Sequence, residues 1–387
     1  LRAAGLPVVW HGLHAGTRRG AVHGVERRQL RGLLHLRRAR RGNARNGVRV
    51  SGDVITLAHG NGGTQMHDLL RRVMWAKLGN AYLREESDAA VLAPRAEREL
   101  IFTTDSFVVQ PLFFPGGDIG HLAVCGTVND LAMMGAQPAA LSLAMILEAG
   151  IDIALVERVV ESVRATAEAA GVPVVTGDTK VVEAGQADQM YLTTSGVGWR
   201  APGMPAGWRS VQSGDAVIVS GTIGHHGVAV LAARAALPFT TELRSDAMPL
   251  HTMVAAALAA CPQIRWLRDP TRGGVAAALN ELSAQTALSI ELDGAAIPVA
   301  DDVRGAAEVL GLDPLYLANE GRAVLVCPAA YSDTVLATLR AQPEGRTAAR
   351  IGTIGAAAPG GRVTLVTAYG GVRLIDMPSG EQLPRIC

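Results

Sequence analysis

Two spacings of hydrophobic residues alternate along the chain from Val54 onward. Short β-branched runs broken by glycine give way to stretches whose apolar side chains recur every three or four positions, the pattern of a mixed α/β chain. The stretch "DIALVERVVESVRATAEAAG" is a clear instance of the second kind. Asp152 stands where a helix cap belongs, apolar residues return at helical spacing, and Gly171 closes the segment, so a helix is predicted. The following "VPVVTGD" predicts a strand. Between Arg200 and Asp215, "RAPGMPAGWRSVQSGD" gathers proline, glycine and serine without a period, which puts a domain boundary there. Beyond it, "AVIVSGTIGHHGVAVLAARAAL" reads as strand, glycine turn and helix, and a second α/β unit runs to about Tyr369. The expected organisation is an N-terminal α/β domain over 51–205, a C-terminal α/β domain over 206–369, and a tail over 370–387.

Residues 1–50 carry neither spacing. They hold twelve arginines, no lysine and one acid, Glu26, and are expected to be a non-native or disordered arginine-rich extension. A basic arm for nucleic acid is one alternative. An export signal is another, since "TRRG" at Thr17 to Gly20 suggests a twin-arginine motif, but no apolar run follows it. A misplaced gene start that translates upstream sequence fits better than either. The rest of the chain has 24 basic and 34 acidic side chains, a net charge of about −10, which argues against a nucleic-acid partner.

With 387 residues, 49% of them hydrophobic, the chain can bury two cores. Its most apolar region, "LAVCGTVNDLAMMGAQPAALSLAMIL", is interrupted by Asn129, Asp130, Gln137 and Pro138 and does not read as a membrane span. The four cysteines are widely spread and form no CxxC pair. That spacing argues against a zinc site or a disulfide framework and suits a reducing, cytoplasmic location.

Four acidic stretches share a context in which a short apparent strand yields to small residues: "ESDAAVL" (Asp88), "FTTDSF" (Asp105), "GTVNDLA" (Asn129, Asp130) and "VTGDTK" (Asp178). Oxygen ligands without histidine or cysteine at ligand spacing suit a hard cation such as Mg2+, usually together with a nucleotide polyphosphate. Taken singly, each is as readily a turn former. "HGNGGT", His59 to Thr64, sets three glycines before a helical stretch, as a phosphate cradle would, yet it is neither a Walker A motif nor GxGxxG. "DPTRGG", Asp269 to Gly274, is a second helix start, with Arg272 available to an anion.

Only Lys77 and Lys180 stand against 34 arginines. A lysine kept beside an acid, as in "GDTKVV", points to a task arginine cannot perform, such as giving up a proton. Glu320 in "LANEGR" is a candidate acid-base group or a cap. His225 and His226 sit in a glycine turn and are poorly placed to share one ion. Cys125 and Cys327 read as small buried hydrophobes. The chain stops on "GEQLPRIC", which sets a thiol, Cys387, at its end.

Together, "LAHGNGG", "TTDSFVVQPLFFPGGDIGHLAVCGTVNDLAMMGA", "VTGDTKVV", "SGTIGHHG", "DPTRGG", "NEG" and the final "PRIC" resemble the hydrogenase maturation factor HypE family, of the PurM-like (aminoimidazole ribonucleotide synthetase) superfamily. The resemblance covers about Ile55 to Cys387. One departure is visible, because the family usually has Gly-Asp-His-Gly where this chain has Gly224-His225-His226-Gly227. The resemblance implies a two-domain PurM-like α/β fold whose N-terminal domain pairs in a homodimer. It implies an ATP- and Mg2+-dependent carbamoyl dehydratase. HypF would load a carbamoyl group onto Cys387, the thiocarboxamide would be dehydrated to a thiocyanate, and the cyano group would pass to iron on the HypC-HypD complex. An amide oxygen leaves poorly, so the γ-phosphate must first be placed on it, and loss of the N–H proton then completes the nitrile. In that scheme Gly60, Gly62, Gly63 and Asn129 line the nucleotide, and Asp88, Asp105, Asp130 and Asp178 hold Mg2+ and phosphates. Lys180 and Glu320 polarise and deprotonate the amide, and Cys387 carries it. Selenophosphate synthetase, thiamine phosphate kinase and a non-enzymatic carrier are the competing readings, none of which accounts for both the acids and the tail thiol.

Overall fold

The computed structural model describes residues 54–60, 64–83, 92, 94–205, 207–235 and 243–378. The expectations for residues 1–50 and for Gly62, Gly63, Asp88 and Cys387 lie outside the described residues.

The chain begins with a short 3-10 turn, Leu57–Gly60, and helix α1, Thr64–Leu69, which continues through a π-helical stretch, Leu70–Trp75, and a last turn, Ala76–Leu78. Strand β1 (Glu99–Phe107) and a small hairpin of β2 (Phe113–Phe114) and β3 (Gly117–Asp118) lead into helix α2 (Ile119–Met133). Then come β4 (Gln137–Glu148), α3 (Ile153–Ala170), β5 (Val174–Val182) and β6 (Met190–Arg200). These strands form a four-stranded sheet in the order β1-β6-β4-β5, antiparallel except for the parallel β4-β5 pair that α3 connects.

After the proline- and glycine-rich segment come β7 (Ala216–Val219), α4 (His225–Arg234), α5 (His251–Ala260), β8 (Trp266–Arg268), α6 (Gly274–Thr286) and β9 (Leu288–Asp293). Helix α7 (Asp301–Leu310), β10 (Val324–Cys327), α8 (Ser332–Arg340), β11 (Ala349–Ala357), β12 (Arg362–Val366) and β13 (Val372–Leu374) complete the fold. Seven of these strands make a second sheet in the order β13-β12-β9-β11-β7-β10-β8. The expected tail from 370 therefore starts as ordered structure. β13 pairs with β12, Ile375 is 1% exposed, and the Tyr316 hydroxyl donates to the Asp376 carbonyl at 3.0 Å.

Helix α3 is the helix its amphipathic spacing predicts, capped at its far end by Gly171 in the left-handed region. Helix α2 is a different case. Thirteen of its fifteen residues are buried, because it lies between the first sheet and the C-terminal half, and a helix covered on all sides has no polar face to betray its period. It packs with the first sheet and α3 in one core, and its end, Ala132 and Met133, joins a second core formed by α5, α8 and one face of the larger sheet. The other face of that sheet is covered by α6 through Val275, Leu279 and Leu282.

Candidate active site

Strand β1 presents alternate residues to α2. Asp105 pairs in register with Thr194, whose hydroxyl donates to the Ala123 carbonyl of α2 at 3.2 Å, so this row faces the helix. Two residues earlier the Thr103 hydroxyl donates to Asp130 Oδ2 at 2.9 Å, which turns that carboxylate towards Asp105. The text "GTVNDLA" suggested that Asp130 ends a strand, but Asn129 and Asp130 lie in the last turns of α2. An apolar run with small residues reads equally as buried strand or buried helix.

From the other half of the molecule, the loop after β8 brings Asp269, Thr271 and Arg272, and the loop before β10 brings Glu320. These residues, with Asp105 and Asp130, line a cavity of about 220 Å³. The loop after β8 turns into α6 through two glycines with positive φ. A Cβ on Gly274 would lie 2.5 Å from the carbonyl oxygens of Leu315 and Leu317, so only glycine admits this approach to the segment leading to Glu320. A larger groove of about 700 Å³, walled in part by Met133, Met134, Trp208 and Trp266, opens from Asp130, Asp269 and Thr271. Together the two have the capacity of a nucleotide site, which the smaller cavity alone lacks.

Four carboxyl groups crowd this space and raise one another's affinity for protons. Burial lifts Asp105, against the Ser106 N–H and the Arg272 charge. Asp130 is raised by burial and by Asp105, against the Thr103 hydrogen bond and Arg268. Asp269 is pushed up to about 7, first by burial and then by Asp130, with Asp105 adding to it. Glu320 stands well above the usual carboxylate range, through burial first and then Asp269, Asp246, Asp105 and Asp130. Its Oε1 has no hydrogen-bond partner among the described residues although the residue is 3% exposed. Such a site favours counter-charge from cations or protons. Among the described residues no group of three or more His, Cys, Asp or Glu is close enough to hold a metal ion by itself. Mg2+ commonly takes only one or two protein carboxylates, with phosphate and water completing its shell, and Asp105 and Asp130 suit that role.

The other expected site residues are placed elsewhere. Asp178 and Lys180 lie on β5, more than half exposed, and pair with each other at 3.0 Å. Asp178 is in the cross-strand row of Ser106, Thr193 and Ala144, on the face of the sheet opposite Asp105. Three strand spacings separate it from Ser106, roughly 14 Å, so within one chain it does not share an ion with Asp105 and Asp130. Asn129, expected among the nucleotide contacts, is 1% exposed and bonded to backbone. Gly60 ends the first 3-10 turn. His226 is buried, with Nδ1 2.8 Å from the Ser245 hydroxyl and its ring edge-on to Phe114. Cys125 is buried, and burial together with the Glu320 charge holds its thiol well above the ordinary range, which makes it a poor nucleophile. Asp269 was not singled out from the sequence. A carboxylate between a strand and a proline, four residues ahead of a glycine pair, was its only signal.

Residues 86–199 match the family described as AIR synthase related protein, N-terminal domain, and residues 212–364 match AIR synthase related protein, C-terminal domain. Carbamoyl dehydratase HypE of Cupriavidus necator is 50% identical over 335 residues, 86% of this chain and 95% of that protein. A crystal structure of the hydrogenase maturation protein HypE in complex with ATP is 43% identical, with a TM-score of 0.81 over 86% of this chain and 99% of that one. A crystal structure of a HypE-HypF complex is 40% identical, with a TM-score of 0.70 over 82% of this chain and 100% of that one. With both halves matched in order and these identities sustained over most of its length, the chain belongs to the HypE family of carbamoyl dehydratases, built on the two-domain PurM-like fold.

Proposed function

We propose that this protein dehydrates a carbamoyl group carried on the Cys387 sulfur, using ATP, and so makes the thiocyanate that supplies cyanide ligands to the iron of a nickel-iron hydrogenase. The observation that carries this reading is the path of the chain towards Cys387. Residues 375–378 run back along α6, with Asn280 donating to the Ile375 carbonyl, and Pro378 packs on Gly273, beside Arg272 and Thr271 of the cavity. Nine further residues reach Cys387, about 30 Å when extended, so its thiol can enter the cavity of its own chain with slack to spare. Tethering in this way raises the local concentration of the amide at the site.

In this scheme the cavity takes the terminal phosphates of ATP. Asp105 and Asp130 hold Mg2+, and Asp88 adds a further acid. An ion held there would supply positive charge to the phosphates. Arg272 contributes positive charge from the protein. The carbamoyl oxygen takes the γ-phosphoryl group, the C–O bond then breaks to release phosphate, and the nitrogen gives up its protons as the C≡N bond forms. Glu320, buried and without a hydrogen bond on Oε1, is placed to accept a proton once a cation bound among the neighbouring acids offsets their charge and lets its carboxyl ionise. Lys180 lies across the sheet from Glu320, so a share in this chemistry requires that the open face of the sheet join the site in an assembly.

We propose that assembly to be a homodimer through this face, where Leu100, Phe102 and Ile146 are exposed. HypF is the proposed carbamoyl donor, in keeping with the solved HypE-HypF complex, and the HypC-HypD complex is the proposed acceptor of the cyano group. No helix among the described residues is long and apolar enough to cross a membrane, and a cytoplasmic site of action is proposed.

The test is mass spectrometry of the peptide 382–387, released by cleavage after Glu381, following incubation with HypF, its carbamoyl donor, ATP and Mg2+. A carbamoylated peptide that loses the mass of one water only when ATP is present is the expected result. A peptide that stays unmodified where another HypE is loaded would overturn the assignment of Cys387.

A further inference from the structure

Glu320 presents a problem of placement. Its Oε1 has no hydrogen-bond partner among the described residues, so the carboxyl group depends on its own backbone to be held in position. That backbone is gripped at both ends. Its N–H donates to Asp246 Oδ1 at 3.2 Å, and its carbonyl accepts from Asn129 Nδ2 at 3.0 Å.

Both gripping groups are themselves fixed. Asn129 uses its second N–H on the Met248 carbonyl at 3.1 Å, and its own carbonyl accepts from the Leu250 N–H at 2.8 Å. Asp246 is buried and pairs with Arg322 at 3.6 Å, and Arg322 donates to the carbonyls of Thr222 and Gly321 at 2.8 and 2.7 Å. Space is as tight as the bonding. A Cβ on Gly321 would fall 1.8 Å from the Asp246 carbonyl oxygen, so the next residue after Glu320 must be glycine for the loop to lie against Asp246.

Neighbours in sequence extend this logic. Asn129 directly precedes Asp130, so the amide that holds Glu320 and the carboxylate that faces it come from one helical turn. Asn319 directly precedes Glu320 and donates from Nδ2 to the carbonyl of Pro270, the residue after Asp269. The spacing among Asp130, Asp269 and Glu320 is thus set by side-chain-to-backbone bonds one residue away from each carboxylate, and those carboxylates remain directed into the cavity. Buried bonds of this kind hold better than surface ones, because breaking one leaves a polar group without water to replace its partner.

We infer that Asn129 and Asp246 are positioning residues for the dehydration step, clamping the Glu320 peptide so that its carboxyl group meets the substrate held against Asp105 and Asp130. This rests on the reading of Glu320 as the proton acceptor. An error of about 1 Å in such a placement is enough to slow a reaction a hundredfold while binding is preserved. The clamp therefore governs the rate at saturating ATP, not the ATP concentration that gives half the rate.

The experiment uses full-length protein with Cys387 already carbamoylated and follows thiocyanate formation in a single turnover across ATP concentrations. Asn129→Ala and Asp246→Ala should each lower the saturating rate at least tenfold, with half-saturation by ATP within twofold of wild type. Asp246→Asn keeps an oxygen that accepts from the Glu320 N–H and should stay within threefold of the wild-type rate. Should Asn129→Ala not fold, the two Asp246 variants decide on their own. Saturating rates near wild type in the alanine variants would overturn the clamp. A rise in half-saturating ATP in step with the lost rate would do the same, as would an Asp246→Asn variant as slow as Asp246→Ala. Glu320→Gln is measured beside them. If it forms thiocyanate at the wild-type rate, the assignment of Glu320 fails, whereas a dead Glu320→Gln with unimpaired Asn129 and Asp246 variants would sink the clamp alone.

Discussion

At the scale of single residues, the cavity sets stability against chemistry, and Asp269 shows the trade most clearly. Its carboxyl titrates near 7 in the fold, against 3.8 unperturbed, because it is buried beside Asp130 and Asp105. The folded protein therefore binds a proton that the unfolded chain has already released between those two values. Stability falls as pH rises through that window, and the full cost is present above about 7. Three pKa units correspond to about 4 kcal/mol. Asp269→Asn should be more stable than wild type at pH 8 by an amount of that order, and the advantage should vanish near pH 4, where both side chains are neutral. Denaturant unfolding of the two proteins without nucleotide at both pH values measures it; an advantage independent of pH would contradict the assignment. Much of this was hidden in the sequence. Asp105 and Asp130 could be singled out as acids in a shared context, but Asp269 is one acid in a loop until the fold sets it against two others. Lys180 was conspicuous for its rarity, yet between Thr179 and Val181 it sits in no strict alternation of polar and apolar positions that would tell which face of the strand it takes.

Among the elements, those with one wet face were legible and those without were not. Helix α3 announces itself by apolar spacing and a closing glycine because half its surface meets water. Helix α2 carries Asp130 and Asn129 but is covered on every side, so its text could be strand or helix, and only packing chooses between them. The start of α6 lies between these cases. "DPTRGG" was readable as a helix start, whereas the reason for two glycines emerges only from the neighbours. Gly274 has φ of +62°, and any side chain there meets the Leu315 and Leu317 carbonyls. Gly274→Ala should cost roughly 2–4 kcal/mol, about 1 for the left-handed backbone and the rest for pushing the two segments apart. Because the displaced segment leads to Glu320, the dehydration rate should fall as well. Equilibrium unfolding in urea gives the first number, and a loss below about 1 kcal/mol would mean that the 315–317 segment yields easily.

At the scale of the whole molecule, no described residue covers one face of the four-stranded sheet. On it Phe102 is 66% and Leu100 57% exposed, side by side with Trp199 and Val197 of β6, which pair with them in register. A chain that leaves such a row to water invites a partner, and a sheet face that meets its own copy across a two-fold axis counts every contact twice. Burying one phenylalanine is worth about 2 kcal/mol, so loss of both copies in Phe102→Asp should weaken a dimer by roughly 4 kcal/mol, about a thousandfold in Kd, before any cost of burying two carboxylates is added. The single chain should hardly notice, since an exposed position away from caps and pairs usually changes stability by less than about 0.5 kcal/mol. Sedimentation velocity at micromolar concentration separates the cases. A wild-type dimer and a Phe102→Asp monomer that unfolds at nearly the temperature of dissociated wild type would assign the face to self-association. A wild-type monomer, or a variant that still sediments as a dimer, would rule it out. In that event Lys180, on the same open face and across the sheet from Glu320, would have no route to the reaction.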